Sequence, residues 1–355
     1  MNKGNSKYTA QYKPGDLIYR TTSLGAPGPG WLNLSTTQMV YTKSSLGKLL
    51  PQYNFWTTQT SQFGASTIVS VAYGNGIFVA GGVGGTLRTS TDAINWNTQT
   101  SQFGASSIYS VAYGNGIFVA GGAVGTLRTS TDTINWNTQT SNFGTDFIYS
   151  VAYGNGTFVA GGLNGTLTTS TDTVNWNNQT SKFGGFTIYS IAYGNNTWVA
   201  VGDAGTLRTS TDTVNWNTQT SQFGSSIISS VAYGNGTWVA VGIGGTLRTS
   251  TDTINWNTQT SNFDINAIYS VAYGNGTFVA GGLNGTLRTS TDAINWNTQT
   301  SKFGGTTINA IAYGNGTWVA GGLNGTLRTL NLINPTYTVL PIASIPTGYT
   351  PWIKT

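Results

Sequence analysis

The sequence predicts an all-β protein, a seven-bladed β-propeller with a small end module, and three observations predict it. The first is a fixed period. Written in rows of 40 from Ser61, the chain gives seven rows to residue 340 with no insertion or deletion. A repeat of that length marks a solenoid or a propeller. The second is the content of a row. Row two reads as four short runs, "IYSVAY", "IFVAGG", "TLRTS" and "INWNTQT", separated by "GNG", "AVG" and "TDT". The runs are rich in β-branched and aromatic residues, the separators in Gly, Asn and Asp. Four strands per unit of this length make a propeller blade. The third is how the repeat ends. Row seven loses its Asp and Trp after "TLRT", whereas "NFWTTQT" at 54–60 matches "INWNTQT" and precedes row one. The N-terminal strand therefore completes the last blade and closes the ring, which removes exposed strand edges. A linear solenoid has no reason to split one unit across both ends.

The elements follow in order. Residues 1–53 form an N-terminal attachment segment, 54–330 the propeller, and 331–355 a C-terminal segment expected to pack with the first. Each blade carries one outer tryptophan: Trp56, Trp96, Trp136, Trp176, Trp216, Trp256 and Trp296. The turn between third and fourth strands repeats as S-x-D-x-x-x-W, with Asp92, Asp132, Asp172, Asp212, Asp252 and Asp292 placed to accept backbone N–H groups. Arg88, Arg128, Arg208, Arg248, Arg288 and Arg328 recur on the third strand, and Thr168 breaks the set. A ring of arginines suggests an anion site. The favoured reading is a repeated inter-blade pair with Asp or with carbonyls.

Composition excludes much chemistry. Only 7% of residues are charged, there is no Cys and no His, and all ten acids are Asp. The commonest general base and metal ligand are thus missing. Outside the repeated turns only Asp16, Asp146, Asp203 and Asp264 remain, three in different blades and one outside the ring. Glycosidases need paired carboxylates. The expectation is no enzyme, no metal and no cofactor. The net charge of +5 is scattered rather than clustered, so no nucleic acid is expected. No apolar stretch approaches the ~18 residues of a membrane span, and the first residues carry no apolar signal segment.

The rows differ from one another in two windows. One follows S-x-F, as "GAST", "GASS", "GTDF", "GGFT", "GSSI", "DINA" and "GGTT". The other precedes "GTL", as "VG", "AV", "LN", "DA", "IG", "LN" and "LN". Strands alternate in direction, so both windows open on one face of the ring and the monotonous turns on the other. Loops carry recognition on a fixed scaffold. The variable face offers Asp146, Phe147, Phe186, Asp203, Asp264 and Asn266, with Tyr109, Tyr149, Tyr189 and Tyr269 just inside the first strands. Aromatic faces with amides and carboxylates suit sugars.

Three resemblances add to this reading. The S-x-D-x-x-x-W pattern resembles the Asp-box of sialidase-type propellers, where the box is a structural staple away from the ligand. Here the turn Gly is replaced and the Trp lies one residue closer. A sialidase would also need a Tyr nucleophile with a Glu partner, and there is no Glu. Rows of the type "VAYGNGTWVAVG" are similar to those of bacterial and photosystem-assembly propellers. The two ends resemble bacteriophage tail-collar fibres: Gly30, Trp31 and Leu32 match, with Val40, Ser44, Leu46 and Leu49 more loosely, and "GYTPWIKT" resembles the fibre terminus. The usual Cys-Asp-Gly is replaced by "NLST". This resemblance implies a virion protein, extracellular on a phage tail, with other virion tail proteins and a host-surface glycan or protein as partners, and a possible homotrimer. A free propeller lectin or an assembly scaffold are the alternatives.

Overall fold

A computed structural model describes residues 17–21, 31–33, 56–331 and 349–354. The chain divides into two compact units, Met1–Asn54 with Ile333–Thr355, and Phe55–Leu332.

The larger unit is a ring of seven four-stranded antiparallel sheets. Blade one consists of an inner strand, Ile68–Gly74, a second, Ile77–Gly82, a third, Leu87–Ser90, and an outer strand, Asn97–Gln99. The pattern recurs every 40 residues. Blade seven has Ile308–Gly314, Thr317–Gly322 and Leu327–Asn331, and takes its outer strand, Thr57–Gln59, from the start of the unit. Thr57 lies opposite Thr329 and Gln59 opposite Leu327. The outer strands are shorter than the run "INWNTQT" suggests. Three residues pair in blades one and two and two in blades three to six. The rest of the run is consumed by the Asp turn.

The core lies between blades. Side chains alternate along a strand, so each second strand faces both neighbours. Phe78 and Ala80 pack with Val319 and Leu327 of blade seven, while Val79 packs with Phe103 and Ile108 of blade two. Gly74 shows how tight this is: a Cβ there would sit 2.0 Å from the Tyr113 ring. The Gly of each "YG" pair is the floor on which the next blade's tyrosine rests.

Polar stitches repeat at the same joints. Val111 donates its N–H to Ser70 Oγ at 2.9 Å, and five further joints use Ser110, Ser150, Ser190, Ser230 and Ser270. Ser101 Oγ donates to the Gly85 carbonyl at 2.6 Å, tying each entry loop to the preceding blade. The same clip, Ser61 to Gly325, spans the closing joint at 2.6 Å.

In the smaller unit, Tyr349–Lys354 lies between Leu17–Thr21 and Trp31–Asn33 in an antiparallel sheet, with Trp31 opposite Lys354 and Leu32 opposite Ile353. Asp16, Gly30, Val40, Ser44, Leu46 and Leu49 lie outside the described residues.

Candidate functional site

The Asp turns face the end of the blades away from the variable windows. In blade one Asp92 Oδ1 accepts the N–H groups of Ile94 and Asn95, each at 2.8 Å, and Oδ2 accepts the Asn95 side-chain amide. Ser90 donates to the same carboxylate, and Trp96 Nε1 donates to the Ala93 carbonyl at 3.0 Å. The pattern recurs at Asp132, Asp172, Asp212, Asp252 and Asp292. At Asp132 the N–H and side chain of Asn135 and the Ile134 N–H hold the carboxyl well below its usual range. At Asp92 burial opposes this, but Asn95, Ile94 and Ser90 still draw the value down to about 2. Every carboxylate oxygen is occupied by local donors, which is the geometry of a staple. The residue after the Asp is left-handed in all six turns, φ 63–68°, although it is Ala or Thr. A turn that a glycine would fit without strain is held here by its hydrogen bonds.

The arginines are structural as well, with a partner the sequence reading did not include. Arg88 lies 5.1 Å from the centre of the Phe63 ring, donates Nε to the Gln62 carbonyl at 2.8 Å and Nη1 to the Leu87 carbonyl at 2.9 Å. The carbonyl partner agrees with the favoured expectation, but the pair lies within a blade and not between blades, because the entry loop folds back on its own third strand. The ring stacking was missed, although an invariant S-x-F with Arg 25 residues later is its signal. In the six blades that keep the Arg, the cation–π contact and the entry-loop carbonyl clamp that loop to its own blade. In blade three Thr168 replaces the Arg, fully buried and with its Oγ1 unpartnered among the described residues.

The variable windows do meet. Val83 donates its N–H to the Thr67 carbonyl at 3.0 Å, and Ala123 to Ser107 at 2.9 Å. Within this face, the strongest constellation lies in blades two to four. Tyr109, Tyr149 and Tyr189 each follow the first residue of an inner strand, where the pairing register shifts. Such bulges re-aim a side chain. The Tyr109 and Tyr149 rings lie 5.2 Å apart, and Tyr149 and Tyr189 5.5 Å. Phe147 adds a ring 5.7 Å from Tyr109 and 6.0 Å from Tyr149. All four are half-buried. Asp203 closes the arc and accepts the Thr187 N–H at 3.2 Å. Burial first, then the charge of Asp203 and a hydrogen bond to it, raise the Tyr189 hydroxyl above its ordinary value. Burial, Tyr109 and Asp203 do the same for Tyr149. Both phenols stay protonated donors.

The remaining candidates are not part of this arc. Asp146 is occupied within blade three by Asn164 Nδ2 at 3.0 Å and Thr166 Oγ1 at 2.7 Å. Phe186 is 47% exposed on the blade-four entry loop and touches no other ring among the described residues. Asp264, Asn266 and Tyr269 lie in blade six, separated from the tyrosine arc by Ser229 in blade five. Asn266 accepts from Asn284 at 3.0 Å and donates to the Phe263 carbonyl at 3.1 Å. The column that carries the tyrosines holds Val69, Ser229 and Asn309 in the other blades. Ser229 and Asn309 donate to the Ile268 and Ile68 carbonyls of the following blades. The sequence reading omitted these three, which the same column of the rows would have given.

No family model and no curated protein matches the sequence. Solved propellers match in structure. YCF48 from Cyanidioschyzon merolae aligns at 16% identity and TM-score 0.62, covering 78% of this chain and 98% of that one. YCF48 bound to a D1 peptide aligns at 17% and 0.66, over 81% and 98%. A catalytically inactive virginiamycin B lyase from Staphylococcus aureus aligns at 11% and 0.71, over 79% and 99%. At these identities the likeness is one of fold, and one fold serves unrelated functions.

Proposed function

We propose that the protein is a non-enzymatic recognition module of a phage tail fibre or tail tip, whose variable face binds a host-surface glycan or protein. The observation that carries this reading is the arc of Tyr109, Phe147, Tyr149 and Tyr189 beside Asp203. Four rings give an apolar surface for the C–H face of a sugar or for a side chain, and neutral phenols and a carboxylate offer donors and acceptors beside it. The absence of His, Cys and Glu from the sequence leaves little for acid–base or nucleophilic chemistry. The two end segments that resemble tail-collar fibres are paired strands, Trp31–Asn33 against Tyr349–Lys354, which supports reading them as one attachment module. A second reading, a peptide-binding scaffold, draws on the similar YCF48 structure that carries a peptide.

The test is binding of the full chain to a glycan array and to bacterial cells, beside a Phe147→Ala, Tyr149→Ala, Tyr189→Ala variant whose β-sheet circular dichroism is unchanged. The expected result is binding that drops at least ~tenfold in the variant, about 1.4 kcal/mol. Equal binding by both proteins removes the arc from the function. Binding to peptides and to no glycan or cell selects the scaffold reading.

A further inference from the structure

We propose that the rim of the propeller carries three equivalent clefts between blades that bind neutral saccharide units. One is open between blades four and five, a polar cleft of about 500 Å3. Its walls are Thr218 and Thr220 of the blade-four edge, Gln222 of the entry loop, and Ile254, Trp256 and Asn257 of the next blade. None of these ionises. Ile254 is 60% exposed, and Thr218, Thr220, Gln222 and Asn257 are exposed too. An aliphatic patch flanked by hydroxyls and amides, with no charge, matches a polyhydroxylated neutral ligand and disfavours an ionic one.

Gln222 is the informative residue. Its backbone is left-handed, φ 63°. Asn is favoured there over Gln, because only a short amide relieves the local steric cost. The chain places Asn at the equivalent position in two rows, and in both the side chain folds into the cleft: Asn142 donates to the Trp176 carbonyl, and Asn262 to the Trp296 carbonyl at 2.7 Å. Those clefts are occupied by the protein itself. Gln62, Gln102 and Gln222 take the costlier residue at the same φ, and their side-chain amides make no hydrogen bond among the described residues. Around all three the wall residues are identical, as Thr58, Thr60, Ile94 and Asn97 around Gln62 illustrate. The same position holds Lys182 and Lys302 in the other two rows, also left-handed at φ 57° and 58°, so Gln62, Gln102 and Gln222 mark the clefts that are neither plugged by Asn nor lined by Lys. The exposed Gln amides in these three clefts offer donors and acceptors to an external ligand.

The rim sites are separate from the tyrosine arc and differ from it in number. Three weak identical sites on one ring favour a polysaccharide of repeating units through effective concentration.

The test uses the full chain and saturation-transfer NMR with glucose, galactose, mannose, N-acetylglucosamine and maltose. A Gln62→Asn, Gln102→Asn, Gln222→Asn variant installs the native plug and so preserves the fold. An Asn142→Gln, Asn262→Gln variant removes it. Binding of at least one sugar by the native chain is expected, reduced about tenfold by the first variant. The second variant should raise the stoichiometry from about three toward about five sites. The proposal is overturned if no sugar of the panel binds, or if the Gln→Asn variant binds as the native chain does. It is also overturned if only the Tyr149→Ala change abolishes binding, which would place the sugar on the variable face. Loss of array binding in the arc variant with rim binding intact, or the reverse, separates the two sites.

Discussion

The six blades made from continuous chain and the seventh, assembled from both ends, solve the same packing problem with different parts. Blade seven keeps the ladder and the clip: Thr57–Gln59 pairs with the third strand, Gln59 Nε2 donates to Thr329 Oγ1 at 2.7 Å, and Ser61 reaches Gly325. It lacks the turn, because its third and fourth strands belong to opposite ends of the unit. Trp56 is fully buried beside Leu330 and Trp318, but its Nε1 has no partner among the described residues. Its six counterparts all donate to the carbonyl three residues earlier. Ala310 also stands where six joints have the stitching serine, and Asn309 supplies a different bond, to Ile68 at 3.1 Å. The ring therefore closes on strand pairing, apolar burial and the Ser61 clip, with neither the Asp staple nor the serine stitch at that place.

That contrast predicts a graded set of outcomes. Removing residues 1–60 should have the largest effect. It strips the outer strand from blade seven and leaves an unpaired edge, so the remaining chain should aggregate in size-exclusion chromatography. A soluble monomer with the native melting temperature would show that the clasp is dispensable. Next come the tryptophans. Trp216→Ala and Trp56→Ala should each cost about 3–5 kcal/mol in urea unfolding. With Phe the two sites should part: Trp216→Phe orphans the Thr213 carbonyl and should cost about 1 kcal/mol more than Trp56→Phe, which orphans no acceptor among the described residues. Equal costs would mean that the indole bond adds no net stability. Ala310→Ser should gain about 1 kcal/mol by giving Val71 the acceptor that other joints possess, and Ser150→Ala should lose a similar amount.

The smallest effect is on pH dependence. The box carboxyls have values below those of the unfolded chain, ~3.9. They stabilise the fold fully above that value, and the contribution is lost as pH falls through the folded value, about 2 for Asp92 and lower for the other five. With no His in the sequence, melting temperature should be flat from about pH 5 to 9 and decline below about 4. Asp92→Asn should flatten that decline. A steep transition near pH 6 would contradict this account.

Much of this architecture is legible in the rows because the period is unbroken: blade number, closure by residues 54–60, and the shared face of the variable windows all follow from counting and strand alternation. The site is less legible. A row gives each residue's blade and depth but not its rotation. The bulge after Ile148, which turns Tyr149 toward Tyr109 and Tyr189, has no letter of its own. Nor does the row distinguish a free carboxylate from one already held, as Asp146 is by Asn164 and Thr166. The arginine stack escaped for a third reason. Phe63 and Arg88 are far apart in the row and meet only because the entry loop folds back along the third strand of its own blade.

The clasp also has a mechanical meaning. Thr57 faces Thr329 and Gln59 faces Leu327, so the two chain ends leave the ring side by side from one end of the pair. Tension applied to both would open this pair like a zip, breaking one bond at a time, instead of shearing the whole ladder at once. A ring held by packing between blades would then yield to force at one strand pair inside blade seven, at a load set by a three-residue strand.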